Sequence, residues 1–190
     1  MGGGYVSNAG VFLLNTVFGL FIVAVMLRLL LQWTRADFYN PLSQAIVKLT
    51  NPALRPMRRY IPAIGKIDTA SVVLMLALQI MNVWLVASIV GARSGFALLA
   101  IVTVTELMSK AIYLYMFAII VQAVASWIAP GTYNPILGLI DNLTDPLLKP
   151  IRQVLPSLGG LDLSPLIAIV ILQLALMLIV APLSAWGSLG

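Results

Sequence analysis

Cysteine and histidine are both missing from this chain of 190 residues. Without cysteine there is no disulfide framework, no thiolate nucleophile and no sulfur-ligated metal. Without histidine the commonest general base, the commonest haem and zinc ligand, and every Cys- or His-based triad are gone. Charge is scarce too: 9% of residues are Asp, Glu, Lys or Arg, where soluble domains carry roughly a quarter. No Walker loop, GxSxG elbow, HExxH pair or EF-hand loop occurs, and Gly159-Gly160 is a turn signal too short to cradle a phosphate. These absences point to a protein that is not an enzyme and has no cofactor or metal. The first charge is Arg28, so the start lacks the positive region of a signal peptide, and Val6 stands where a myristoylation motif needs Ser or Thr.

What is present is hydrocarbon. Hydrophobic residues make up 61% of the chain, with a mean hydropathy of +1.04. They fall in long runs free of charge, Ala9 to Leu27, Ala70 to Val90, Ala111 to Ala129 and Leu166 to Trp186. About twenty helical residues cross a hydrocarbon core of roughly 30 Å, so four transmembrane helices are expected, at about 9–33, 70–91, 107–129 and 165–186. The runs lack the polar/apolar alternation of a membrane barrel. The apolar stretch 96–105 is too short to cross alone and reads as interfacial, as re-entrant, or as the start of a long third span. Glu106 and Lys110, at i and i+4, would pair there near the interface.

Basic residues collect between spans. Thr34 to Thr69 carries Arg35, Lys48, Arg55, Arg58, Arg59 and Lys66, Pro130 to Asp162 carries Lys149 and Arg152, and neither terminus carries any. The positive-inside rule therefore puts both loops in the cytoplasm and both termini outside. The formal net charge of +5 is spread between apolar runs, which favours anionic lipid headgroups over nucleic acid as the partner.

The chain repeats itself. A shift of 94 positions lays Tyr39-Asn40-Pro41 on Tyr133-Asn134-Pro135, Trp33 on Trp127 and Gln79 on Gln173. In the same register Asn51 to Asp68 meets Asp145 to Asp162, sharing three prolines, one Leu, one Arg, one Gly and one Asp. The expected fold is thus an all-α membrane protein of two helix, amphipathic basic loop, helix repeats, 1–94 and 95–190. Each repeat has an even number of spans, so the two run parallel and share one basic face.

Asn40-Pro41 and Asn134-Pro135 are helix starts, with Asn capping and Pro at the first helical position. A short amphipathic helix should follow, with Leu42, Ile46 and Leu49 on one face in the first copy, and Ile136, Leu139, Ile140 and Leu143 in the second. Asn51-Pro52 and Asp145-Pro146 repeat the signal and predict a second short helix carrying Arg55, Arg58 and Arg59, or Lys149 and Arg152. These five basic residues read as a docking surface for anionic lipid or an acidic partner, or as topology-setting charge. Arg58 with Asp68 and Arg152 with Asp162 keep the same spacing, which suits structural ion pairs, and either carboxylate also suits a helix N-cap. Within the spans, Arg28 is expected to snorkel to the headgroups. Gln32, Gln79, Asn82, Gln122 and Gln173 are expected to bridge packed helices rather than line a substrate route.

The segments NPALRPMRRYIPAIGKID and DPLLKPIRQVLPSLGGLDLSPL resemble the two signature repeats of the YggT family, and the resemblance spans nearly the whole chain. It implies a bacterial inner-membrane protein with relatives in chloroplast thylakoids. Such relatives are tied to cytochrome b6 maturation, cell division, nucleoid or plastid DNA distribution, and tolerance of osmotic shock with ion uptake. With no His or Cys here, a cytochrome role would be chaperoning or scaffolding. The expectation is a non-enzymatic scaffold or assembly factor with a membrane-protein partner or a second copy; the alternative is a small oligomeric ion transporter or channel subunit. The topology is directly testable: a reporter active only outside the cytoplasm should be active when fused after Gly190 and silent when inserted between Pro41 and Arg58.

Overall fold

The structure, a computed structural model, describes residues 3–65, 67–92, 95–128, 134–154 and 162–188. Tyr133, Lys66 and the Gly159-Gly160 turn, all used in the sequence argument, lie outside these. The described chain is helical: α1 (Gly3–Trp33), α2 (Pro41–Arg58), α3 (Thr69–Val90), α4 (Phe96–Ile128), α5 (Pro135–Val154), α6 (Ser164–Ala175), a π-helical turn (Leu176–Val180) and α7 (Ala181–Ser188). Four stretches are long and apolar enough to span a membrane: Gly4–Trp33, Thr69–Val90, Phe96–Ser126 and Ser164–Trp186. The last joins α6 to α7 through the π turn. The segment 96–105 is neither interfacial nor re-entrant; it opens α4, a single helix of 33 residues. At about 1.5 Å per residue α4 is roughly 50 Å long, so it tilts in or projects beyond the bilayer.

Helix ends follow local chemistry. After α1, the Arg35 N–H bonds to Gln32 O and the Ala36 N–H to Leu31 O at 3.2 and 2.9 Å. That is a Schellman motif with Arg35 in the left-handed position at φ 54°, where glycine is the usual occupant. Its usual apolar contact is present, because Leu31 and Ala36 pack in one cluster. Gly91 closes α3 in the same way, at φ 75°.

Asn40 and Asn134 cap α2 and α5, their side-chain oxygens each accepting from the backbone N–H two residues on at 2.9 Å. Each loop then holds one continuous helix, not two. Pro52 and Pro56 lie inside α2, and Pro146 and Pro150 inside α5. A proline removes one donor and crowds the carbonyl four residues back. The prolines stand four apart, so both defects fall on a single strip of the helix and the rest of the ladder carries on. Each helix packs only part of its apolar face against the spans. Ser43, Ile46, Thr50 and Leu54 are buried in α2, and Leu139, Leu143, Thr144 and Leu148 in α5, while Leu42, Leu49 and Ile136 are exposed. In a membrane protein an apolar side chain has two hosts, the protein core and lipid, so hydropathy alone does not choose the packed face.

The two repeats pack in the same register. Val25, Leu54 and Leu74 meet in one core cluster, and Ile119, Leu148 and Ala168, each 94 residues later, meet in the other. A third cluster, Leu31, Ala36, Ile46 and Leu139, joins α1 and α2 to α5. Beside it the Asn40 side-chain N–H donates to Pro135 O at 2.6 Å. The two amphipathic helices therefore touch near their N-terminal ends, at one end of the bundle, as parallel repeats require. Leu54 and Leu148 are each fully buried, so Leu54→Ala or Leu148→Ala should cost about 2 to 3 kcal/mol. Thermal melts in detergent should show both losses, and Leu49→Ala, at an exposed position, should leave the melt unchanged.

Candidate functional site

At the basic end the chain turns back from α2 to α3. Tyr60 and Ile61 donate to Met57 O at 3.0 and 2.9 Å, and Ile64 and Ile67 exchange two bonds of 3.1 Å around Gly65 at φ 61°. The Thr69 hydroxyl donates to Pro62 O. This tight return sets Asp68 at the mouth of α3, facing the last turn of α2, where Arg58 Nη2 donates to Asp68 Oδ2. The Ser71 hydroxyl donates to the same oxygen at 2.7 Å, and Asp68 is 2% exposed. In the second copy Arg152 Nε donates to Asp162 Oδ2 at 2.9 Å, and the Ser164 N–H donates to Asp162 Oδ1 at 2.9 Å. The carboxylate at each junction thus pairs with its arginine. Asp162 also accepts from the first N–H of α6 through Oδ1, a bond the Asp68 side chain does not make at α3.

A second pair of contacts ties each amphipathic helix to the span before it. Arg28, on α1, does not snorkel: it is 5% exposed. Its Nη1 donates to Thr50 Oγ1 at 2.6 Å, Asn51 Oδ1 at 3.0 Å and Val47 O at 3.4 Å. The reason is α2 itself, which covers the inner end of α1 and offers three neutral acceptors closer than any headgroup. Gln122 occupies the matching place in the second repeat. Its Nε2 donates to Asp141 Oδ1 at 2.6 Å, and its Oε1 accepts from the Thr144 hydroxyl at 2.7 Å. Thr50 and Thr144 are both fully buried. Sequence reasoning placed Arg28 and Gln122 in the spans but missed Thr50 and Thr144; their matching positions in the 94-residue register were the available signal.

The five basic residues of the expected docking surface therefore divide. All are exposed, but Arg58 and Arg152 are held by Asp68 and Asp162, and Arg152 also reaches Asp145 at 3.5 Å. Arg55, Arg59 and Lys149 make no ion pair among the described residues. Among these residues there is also no cluster of acidic side chains able to hold a metal.

The intramembrane glutamines divide as well. Gln79 is buried, 1% exposed, in a cleft of about 480 Å³ whose walls include Asn15, Asn82, Glu106 and Lys110. Gln173 is half-buried on α6 and does not line that cleft. Asn82 bridges α3 to α1, donating to Asn15 Oδ1 at 3.1 Å. Glu106 and Lys110 pair at 2.6 Å. They sit in the wall of this cleft, about 15 and 21 Å along α4 from Phe96. Gln32 borders a smaller cavity of about 270 Å³ beside Arg58 and Asp68.

Burial alone would raise the Asp68 carboxyl above its ordinary range, but hydrogen bonds from Arg58 and Ser71 outweigh it and hold the group below. Asp162 is also held low: burial opposes, and bonds from Ser164 and Arg152 prevail. A carboxylate with a lowered folded-state pKa stabilises the fold above its unfolded pKa near 4, and that contribution fades as pH falls through the folded value. The melting temperature in detergent should therefore drop on acidification below about pH 4. Asp68→Asn should lower stability at pH 7 by about 2 kcal/mol and flatten the acid drop, while Asp162→Asn, at an exposed pair, should cost under about 1 kcal/mol.

Known proteins are similar to this chain in sequence. A family model described as CCB3/YggT matches twice, over residues 7–89 and 101–183, two segments offset by the same 94 residues as the internal repeat. An uncharacterized protein of Pseudomonas aeruginosa is 43% identical over 184 residues, covering 94% of this chain and 92% of that protein. The uncharacterized protein YggT of Escherichia coli K12 is 38% identical over 185 residues, 96% and 95% of the two chains. An uncharacterized Haemophilus influenzae protein is 33% identical over 159 residues, 84% of each. No solved structure matches. With both halves matched in the register of its own duplication, the chain belongs to the CCB3/YggT family.

Proposed function

We propose that this protein is a non-enzymatic scaffold or assembly factor of the bacterial inner membrane, with α2 and α5 on its cytoplasmic side. The reading rests on one observation: two amphipathic helices, touching near their N-terminal ends and each tied to the span before it by the Arg28 or Gln122 contacts, present Arg55, Arg59 and Lys149 exposed and unpaired among the described residues. An exposed cation held in no ion pair is free to meet an external anion. Anionic headgroups fit this strip, and so does an acidic segment of a membrane-protein partner. The positive-inside rule supports the orientation, with both termini outside. Support of envelope complexes, whether in cell division, cytochrome assembly or osmotic-stress tolerance, follows from such a platform.

The alternative, a small oligomeric ion transporter or channel subunit, draws support from the parallel repeats and the polar side chains within the spans. It receives less from Gln79 and Gln173, the matched pair that a two-fold path would use, since Gln79 alone lines the α1/α3/α4 cleft. Charge reversal separates the readings. Arg55→Glu, Arg59→Glu and Lys149→Glu together should cut recovery of partners crosslinked in intact cells at least about fivefold, because each reversal replaces an attraction by a repulsion. Insertion and melting temperature should not change. Undiminished recovery would overturn the scaffold reading.

A further inference from the structure

We propose that the cleft between α1, α3 and α4 binds a zwitterion of zero net charge that presents a primary ammonium group. This site lies away from the basic strip and does not depend on its role. The cleft, at about 480 Å³, is within the range of small-molecule sites, roughly 300 to 1,000 Å³. It reaches deep. Gln79 and Asn82 precede the end of α3 at Val90 by about 17 and 12 Å of helix rise, and Glu106 and Lys110 line the same cleft. At that depth in a hydrocarbon core of roughly 30 Å, an unpaired polar atom is costly and intramembrane ionisable groups are rare.

The unpaired atoms define the ligand. Gln79 Oε1 and Asn82 Oδ1 are buried without a hydrogen-bond partner among the described residues. Gln79 itself makes no side-chain hydrogen bond there, and Asn82 uses only its N–H₂, toward Asn15. Glu106 gives one carboxylate oxygen to Lys110, and its side chain is 50% exposed, which leaves the other oxygen able to accept. Two amide oxygens and one carboxylate oxygen are three acceptors, and a primary ammonium has three donors. Lys110 has two further N–H groups for an acidic function on the same molecule. One carboxylate and one ammonium sum to zero, so a lone cation or anion would leave an uncompensated charge in low dielectric, whereas a neutral zwitterion would not.

The walls also exclude the methylated relative. A quaternary ammonium has no N–H for these oxygens and is held by aromatic faces, yet the walls, apart from the polar residues named, are valine and alanine. The duplication does not supply a second copy of the site. In the 94-residue register Leu176 replaces Asn82, Phe12 replaces Glu106 and Thr16 replaces Lys110, so one equivalent binds per chain. The ammonium has two possible sources, the ethanolamine headgroup of an aminophospholipid entering from the bilayer, or a water-soluble amino acid.

The test is equilibrium binding to the full-length protein in maltoside detergent, with dihexanoyl phosphatidylethanolamine, dihexanoyl phosphatidylcholine and β-alanine as probes. One equivalent of the phosphatidylethanolamine should bind at least tenfold more tightly than the phosphatidylcholine, and Glu106→Gln and Gln79→Leu should each weaken it at least tenfold. β-Alanine binding in place of the lipid, with the same dependence on both side chains, supports the proposal and assigns the soluble source. Equal affinity for the two lipids, binding indifferent to both substitutions, or no binding of either the ethanolamine lipid or β-alanine would overturn it. The comparison of the two lipids needs only the unaltered protein, so it decides the matter even if a variant fails to fold.

Discussion

In hydrocarbon no water is available to complete a backbone hydrogen bond, and from that constraint the rest of this structure descends. Each spanning segment must satisfy its own N–H and C=O groups, which admits helices and nothing irregular at depth. Lipid is as apolar as leucine, so burying leucine does little to hold one helix to another. Polar contacts and close packing take over that task. Arg28 and Gln122 illustrate it: each reaches from a span to a buried threonine on the amphipathic helix that follows, at 2.6 and 2.7 Å. Arg28 donates to Thr50 and Gln122 accepts from Thr144, and removing either threonine would leave a guanidinium N–H or an amide oxygen short of a partner.

Duplication gave two copies of that arrangement, and the copies have diverged electrostatically while keeping their packing. Val25, Leu54 and Leu74 correspond in place and contact to Ile119, Leu148 and Ala168. Over this common core the first copy buries more charge. Arg28 is cationic where Gln122 is neutral, and Asp68 is buried where Asp162 is exposed. Buried charge holds a geometry only if every partner remains in place. The cleft that holds the unpaired Gln79 and Asn82 oxygens lies where α1 and α3 of the first copy meet α4.

The same solvent explains the inverted logic of the surface. Exposed Phe12, Leu20, Trp84 and Phe117 are what lipid requires, and the informative residues are the polar ones that remain inside. Thr50, Thr144 and Asn82 belong to this group. Their types are ordinary in a sequence, and only their position in a low-dielectric interior makes them structural. The Glu106–Lys110 pair is similar: as an i, i+4 pair it stabilises any helix, but set in the wall of an intramembrane cleft it becomes recognition chemistry.

Sequence by itself determined the number and approximate place of the spans, the 94-residue duplication, the Asn-Pro caps and the family, because each depends on local hydropathy, local turn chemistry or identity in register. The arginine and aspartate spacing likewise pointed to Arg58 with Asp68 and Arg152 with Asp162. Tertiary structure alone decided that α2 and α5 run unbroken through their prolines, that Leu42 and Leu49 face outward while Ser43 and Thr50 face in, that Arg28 is buried, and that Gln79 and Gln173 part company. Each of these turns on which neighbour lies across a gap of a few ångströms. Hydropathy cannot tell a protein neighbour from a lipid one, so that choice is made only when the helices pack.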